Sequence, residues 1–162
     1  MNVHEFYFKS LSGTTLPLSN FRGQPLMLVN TASRCSYTPQ YRQLQKIWME
    51  YRGGGLVVVG MPSNDFGEQE PADEDIIAEF CRSNYGVTFP MTAKYTVTGS
   101  GAHPLFTALA EEYGTEVYPR WNFFKYLFDR NGQMLQFWPS AIEPEDPLIT
   151  HQIERHMQSW IL

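Results

Sequence analysis

Two apolar runs separated by one helix-length segment do most to limit how this chain can fold. The first, LMLVN from Leu26 to Asn30, is bounded upstream by Gly23 and Pro25; the second, LVVVG from Leu56 to Gly60, follows Gly53, Gly54 and Gly55. Short continuous apolar runs of this kind, the second rich in Val, suit strands covered on both faces. Between them, Thr38 followed by Pro39 reads as a helix start, a capping hydroxyl and then a ring whose missing N–H is not needed there. Tyr41, Leu44, Trp48 and Tyr51 then recur at steps of three and four, giving one apolar stripe. Strand, helix and strand within about 35 residues make a βαβ unit with a right-handed crossover.

The first junction of that unit carries a cysteine. Cys35 falls between the apolar strand and the proline-started helix, in the stretch NTASRCSYTPQY. Just before a helix N-terminus, free amides and the helix dipole favour thiolate over thiol, and thiolate is the nucleophilic form. Taken alone, a single cysteine is more often a small buried hydrophobe.

The rest of the chain supplies the other elements of an α/β domain. Phe6, Phe8, Leu16 and Leu18 flank a turn at Ser12 and Gly13, which predicts an N-terminal hairpin. MPSNDFGEQEP, from Met61 to Pro71, is a loop leaving the second apolar run, the edge where open α/β sheets place reactive groups. Asp73, Glu74 and Asp75 open a second helix with Ile76, Ile77 and Phe80 as its apolar positions, Cys81 near the rim of that stripe, and Gly86 as its stop. VTFPM and KYTVTG carry strand-like residues. Pro104 starts a third helix, with Leu105, Phe106, Leu109 and Tyr113 inward and Gly114 at its end. NFFKYLF and QMLQFW flank Asn131-Gly132, a strong hairpin signal. Pro147 introduces a last helix with Ile149, Ile153, Met157 and Trp160 on one side. The order implies one α/β domain spanning residues 1–162, with a central mixed sheet flanked by helices.

Composition narrows the function. With 162 residues, 43% hydrophobic and 15% aromatic, the chain can bury a sizeable single core. A net charge of -5 and no cluster of Lys and Arg argue against nucleic acid or an anionic membrane as partner. The N-terminal stretch has neither the apolar core nor the cleavage site of a secretory signal, and no run approaches a membrane span, so the reading is a soluble cytoplasmic protein. Two cysteines in that setting point to reduced, catalytic or redox-sensing thiols, and no CxxC or Cys/His spacing supports a metal. His4, His103, His151 and His156 have no clustered spacing and read as surface or capping residues.

Four stretches, NTASRCSYTPQY, MPSNDFGEQEP, FCRSNYGVTFP and WNFFKYLFDRNG, resemble those of the glutathione peroxidases, in family order and across nearly the whole chain. The resemblance implies a thioredoxin-like fold and no organic cofactor or metal. It implies that Cys35 is the peroxidatic residue, in the position some members fill with selenocysteine. Gln69, Trp121 and Asn122 complete the family's catalytic tetrad. Cys81 matches the resolving cysteine of the non-selenium members recycled by thioredoxin. Two departures stand out: Ser63 occupies a position where many relatives carry a further cysteine, and only Gly114 to Arg120 separates the third helix from the Trp-Asn pair, as in the monomeric branch.

These residue types suit reduction of a hydroperoxide. A sulfur nucleophile attacks one peroxide oxygen while the other leaves as an alkoxide that needs a proton. Gln69, the Trp121 indole N–H and Asn122 are neutral donors that can hold a sulfur anion and polarise the leaving oxygen without titrating. Sulfenic acid on Cys35 would condense with Cys81, and thioredoxin, or glutathione, would return the dithiol. No basic cluster for glutathione is evident in the sequence. The alternative is a hydroperoxide sensor that passes its disulfide to a partner protein with the same two cysteines.

Overall fold

A computed structural model describes residues 1–157. The chain opens with an antiparallel hairpin of β1 (Tyr7–Lys9) and β2 (Thr15–Pro17), as the flanked Ser12-Gly13 turn predicts. The two apolar runs become β3 (Leu26–Thr31) and β4 (Val57–Pro62), parallel neighbours in register from Leu26 opposite Val57 to Thr31 opposite Pro62. They are joined by α1 (Gln40–Tyr51). Next come α2 (Glu74–Tyr85), α3 (Pro104–Tyr113), the Asn-Gly hairpin of β5 (Lys125–Phe128) and β6 (Met134–Trp138), and α4 (Pro147–His156). The main sheet runs β4-β3-β5-β6, with β5 antiparallel to both β3 and β6. This is the mixed sheet of a thioredoxin-like fold, with the hairpin as an N-terminal addition.

Strand alternation divides the interior in two. Met27, Val29, Val58 and Leu127 point to one face, where they meet Tyr41, Leu44 and Ile47 of α1, Ile77 of α2, and Ile149 and Ile153 of α4. Leu26, Leu28, Val57, Val59, Tyr126 and Phe128 point to the other, against Phe8 and the α3 residues Leu105, Phe106 and Leu109. Each fully buried aliphatic side chain contributes about 1.5–3 kcal/mol, so both faces hold the sheet in place. Because β3 and β4 end together, the Cys35 turn and the 63–73 loop leave the sheet at the same edge.

Several details depart from the sequence reading. KYTVTG forms no strand; just before it Met91 and Thr92 make isolated bridges with Gly60 and Ser10, and within it the Tyr95 N–H donates to the Pro62 carbonyl. Ile76 is 62% exposed, because Ile77, Phe80 and Cys81 already fill the inward face of α2. Cys81, expected at the rim, is 2% exposed and belongs to the core under α1. Tyr113 at the end of α3 is exposed, since the last turn runs past the sheet into Gly114. His4 is buried rather than superficial, whereas His103 does cap α3, accepting from the Leu105 N–H at 3.1 Å. Thr38 is not the cap of α1, which begins after Pro39; its hydroxyl has another task, described below. Ile149 and Ile153 are buried as expected, Met157 is partly buried just beyond α4, and Trp160 lies outside the described residues.

Candidate active site

The cysteine turn is built by one hydroxyl. Thr38 Oγ1 donates to the Ala32 carbonyl at 2.8 Å and accepts the Cys35 N–H at 2.9 Å, tying both ends of the loop leaving β3. The Thr38 N–H returns to the Cys35 carbonyl at 3.0 Å, and tight turns continue into α1. In this geometry the Tyr37 N–H points at Cys35 Sγ, 3.4 Å away. Cys35 is 7% exposed, so its sulfur is shielded from bulk water yet faces a backbone donor.

Gln69 and Asn122, 53 positions apart, meet beside this turn. Asn122 Nδ2 donates to Gln69 Oε1 at 2.9 Å, and Asn122 is completely buried. With Oε1 taken, the Nε2 protons of Gln69 are its available donors. The Gln69 backbone is fixed to the cysteine side as well: its carbonyl accepts the Arg34 N–H at 3.0 Å. Trp121 is the open member of the group, 37% exposed, with its ring centroid 5.9 Å from that of Phe66.

Residues that sequence patterns do not single out hold these four in place. Asn30, at the end of β3, donates from Nδ2 to the Trp121 carbonyl at 3.0 Å and accepts the Phe124 N–H on Oδ1 at 3.1 Å. It thereby stitches the Trp-Asn segment to the strand that feeds Cys35. A polar residue closing an otherwise apolar run was the available signal. Gly67 has φ +66°, and a methyl there would stand 3.1 Å from Trp121 Cη2, so the indole lies against bare backbone. Two residues carry positive φ without being glycine: Glu68 at 50°, immediately before Gln69, and Phe123 at 64°, immediately after Asn122. Such conformations cost on the order of 1–3 kcal/mol each and survive where surrounding contacts enforce them.

No disulfide joins the second cysteine to the first, although both lie in the same core face. Both cysteines are free thiols. Cys81 lies on α2 beneath α1, where burial pushes its thiol up to about 11. Tyr41 and Glu70 are its polar company; burial raises both of their proton affinities, and the Ser33 hydroxyl donates to Glu70 Oε2 at 3.0 Å. The structure thus brings Cys35, Gln69, Trp121 and Asn122 to one sheet edge and leaves Cys81 inside. Among the described residues no group of three or more His, Cys, Asp or Glu is arranged to hold a metal ion, and no helix is long and apolar enough to cross a membrane.

The family model for glutathione peroxidase matches residues 3–110. The chain is 44% identical over 147 residues to the glutathione peroxidase homolog BsaA of Halalkalibacterium halodurans, covering 89% of this chain and 93% of that protein. It is 41% identical to the glutathione peroxidase-like peroxiredoxin gpx1 of Schizosaccharomyces pombe, covering 85% of this chain and 88% of that one. Among solved structures, that of Trgpx in its apo form superposes with a TM-score of 0.77 at 30% identity, over 96% of this chain and 95% of the other. With kinship of that extent, this chain belongs to the glutathione peroxidase family, in its non-selenium form, and is a peroxide-reducing oxidoreductase.

Proposed function

We propose that the chain reduces hydrogen peroxide and organic hydroperoxides by a two-cysteine cycle in which Cys35 is the attacking sulfur and Cys81 resolves it. The Cys35 thiolate attacks one peroxide oxygen; the O–O bond breaks and the departing alkoxide takes a proton to become alcohol or water. Gln69 Nε2 and the Trp121 indole orient the peroxide and stabilise charge as it moves from sulfur to oxygen, while the buried Asn122 amide holds Gln69 in position. The sulfenic acid then condenses with the Cys81 thiol, releasing water and forming the Cys35–Cys81 disulfide. Thioredoxin returns both thiols by exchange and leaves with the disulfide. The observation that carries this reading is the 2.9 Å Asn122–Gln69 bond, which assembles two distant amides beside the cysteine turn. The chain acts in this reading as a single-domain monomer in the cytoplasm, where a thiol donor keeps it cycling.

A coupled assay with thioredoxin, thioredoxin reductase and hydroperoxide tests it. Cys35→Ser is expected to abolish NADPH consumption. Cys81→Ser is expected to give one stoichiometric oxidation and then stall, while glutathione in place of thioredoxin supports little turnover. Wild-type turnover by Cys35→Ser would sink the reading.

A further inference from the structure

A fully buried lysine that the reaction above does not use stands in the same core face as the cysteine turn. Lys125 opens β5, three residues after Asn122, and shares strand parity with Phe123 and Leu127, both of which pack on the α1 side. Its Nζ donates to the Ser140 carbonyl at 3.0 Å, and the same oxygen accepts Nε2 of Gln40, the first residue of α1, at 2.8 Å. The Gln40 N–H donates to the Tyr37 carbonyl at 2.8 Å, and the Tyr37 N–H faces Cys35 Sγ at 3.4 Å. Hydrogen bonds therefore connect, residue by residue, the ammonium at one end with the sulfur at the other.

An ammonium is an expensive group to place there. Desolvation opposes its charge, and a well-packed apolar side chain in the same volume would often be more stable. Burial draws Lys125 down to about 7, against the opposing field of Glu143 in the loop after β6. The elements flanking Lys125 present uncharged groups: Val29 of β3 and Trp138 of β6 are its register partners, and Gln40 of α1 shares its acceptor. The loop it grips lies along α1, where the Glu145 N–H donates to Gln43 Oε1 at 3.2 Å and Lys46 pairs with the Glu145 carboxylate at 2.9 Å. Gln40 Oε1 and Ser140 Oγ are buried with no hydrogen-bond partner, so the Gln40 side chain is held here through its Nε2 on the Ser140 carbonyl.

We propose that Lys125 is a positioning residue for Cys35: by holding the Ser140 carbonyl, it fixes Gln40 and with it the turn that aims the Tyr37 amide at the sulfur. The proposal rests on Cys35 being the attacking sulfur, but its test needs no peroxide. Thiolate formation at Cys35 is followed by absorbance at 240 nm against pH, as the difference from Cys35→Ser, in a Cys81→Ser background. Lys125→Met is expected to move the midpoint upward by about half a pH unit or more. Gln40→Leu is expected to shift it in the same direction, and the double variant to shift it no further than the larger single change, because both act through one carbonyl. A midpoint unmoved in both variants, with only thermal stability lowered, makes Lys125 a structural residue and overturns the proposal. If Lys125→Met does not fold, Gln40→Leu decides alone. A moved midpoint alongside peroxidase activity that survives Cys35→Ser would keep Lys125 in place and reject the role given to Cys35.

Discussion

At the scale of single residues, the site depends on neutral amides whose orientation is set by other neutral amides. Asn122 is the pivot, because its side chain both positions Gln69 and is itself completely buried. Asn122→Ala leaves Gln69 Oε1 without its donor and lets the side chain turn, so the first oxidation of Cys35 by peroxide is expected to slow by about 10²-fold, in the range for removing one preorganised donor. Stopped-flow fluorescence of the first turnover measures this, and a rate within a few-fold of wild type at unchanged melting temperature would contradict it. Local residue pattern marks Cys35, through its place at a strand-to-helix junction, but does not mark Asn122 or Trp121. A Trp-Asn pair reads as a core aromatic followed by a turn residue, and only the family resemblance marks it. Asn30 leaves only its polar side chain at the end of an apolar run as a local sign, and Glu68 and Phe123 leave none, because their contributions are two positive φ angles that no local pattern encodes.

At the scale of elements, the proposed cycle asks most of α2. Cys81 faces the core from this helix, whereas a disulfide needs Cα atoms within about 7 Å and sulfurs in contact. The helix is poorly anchored for its length: Ile77 and Cys81 are its buried residues, and it ends at Gly86 with φ 60°. Few buried contacts and a glycine stop make local opening accessible. Oxidation of the wild type by one equivalent of peroxide is therefore expected to raise hydrogen–deuterium exchange across the second half of α2, and Cys81→Ser treated the same way is expected to keep its protection. Equal protection in oxidised and reduced wild type would mean that Cys81 reaches Cys35 by some other route or not at all. The helix itself was legible from its acidic start and Gly86 stop, as were the βαβ unit, both hairpins and the four α-helices of the described residues. The burial of Cys81 was not, because it depends on α1 lying across α2, a tertiary contact that periodicity within either helix cannot reveal. KYTVTG failed for the same kind of reason. β-Branched residues favour strands only where a partner edge is free, and there Pro62, at the end of β4, offers Tyr95 one backbone bond of 2.9 Å and no ladder.

At the scale of the whole molecule, two buried ionisable side chains outside the proposed chemistry, Glu70 and Lys125, are displaced in opposite directions. Burial raises Glu70 and lowers Lys125, so each is shifted toward its neutral form and the fold opposes ionisation of both. Lys125 gives the cleaner signature. Below about 7 it is protonated in the folded and unfolded chain alike, and its burial penalty is constant. As pH rises above that value, the folded protein releases the proton while the unfolded chain, titrating near the ordinary lysine value of 10.5, retains it. Unfolding then takes up a proton, so stability relative to a variant lacking the group increases with pH, with a limiting slope of about 1.4 kcal/mol per unit. Cys81 acts in the opposite sense at higher pH, since its thiol is raised from 9.0 to about 11 and stability is lost as pH climbs through that interval. Measurements between pH 6 and about 9 avoid most of that opposing change, and comparison with Lys125→Met cancels what remains. Urea unfolding under reducing conditions is therefore expected to show the stability difference, wild type minus Lys125→Met, flat up to about pH 7 and rising beyond it. Parallel curves over the whole range would mean that Lys125 keeps its proton in the fold, and that the ammonium at the end of the hydrogen-bonded path to Cys35 is a fixed charge that pH does not switch.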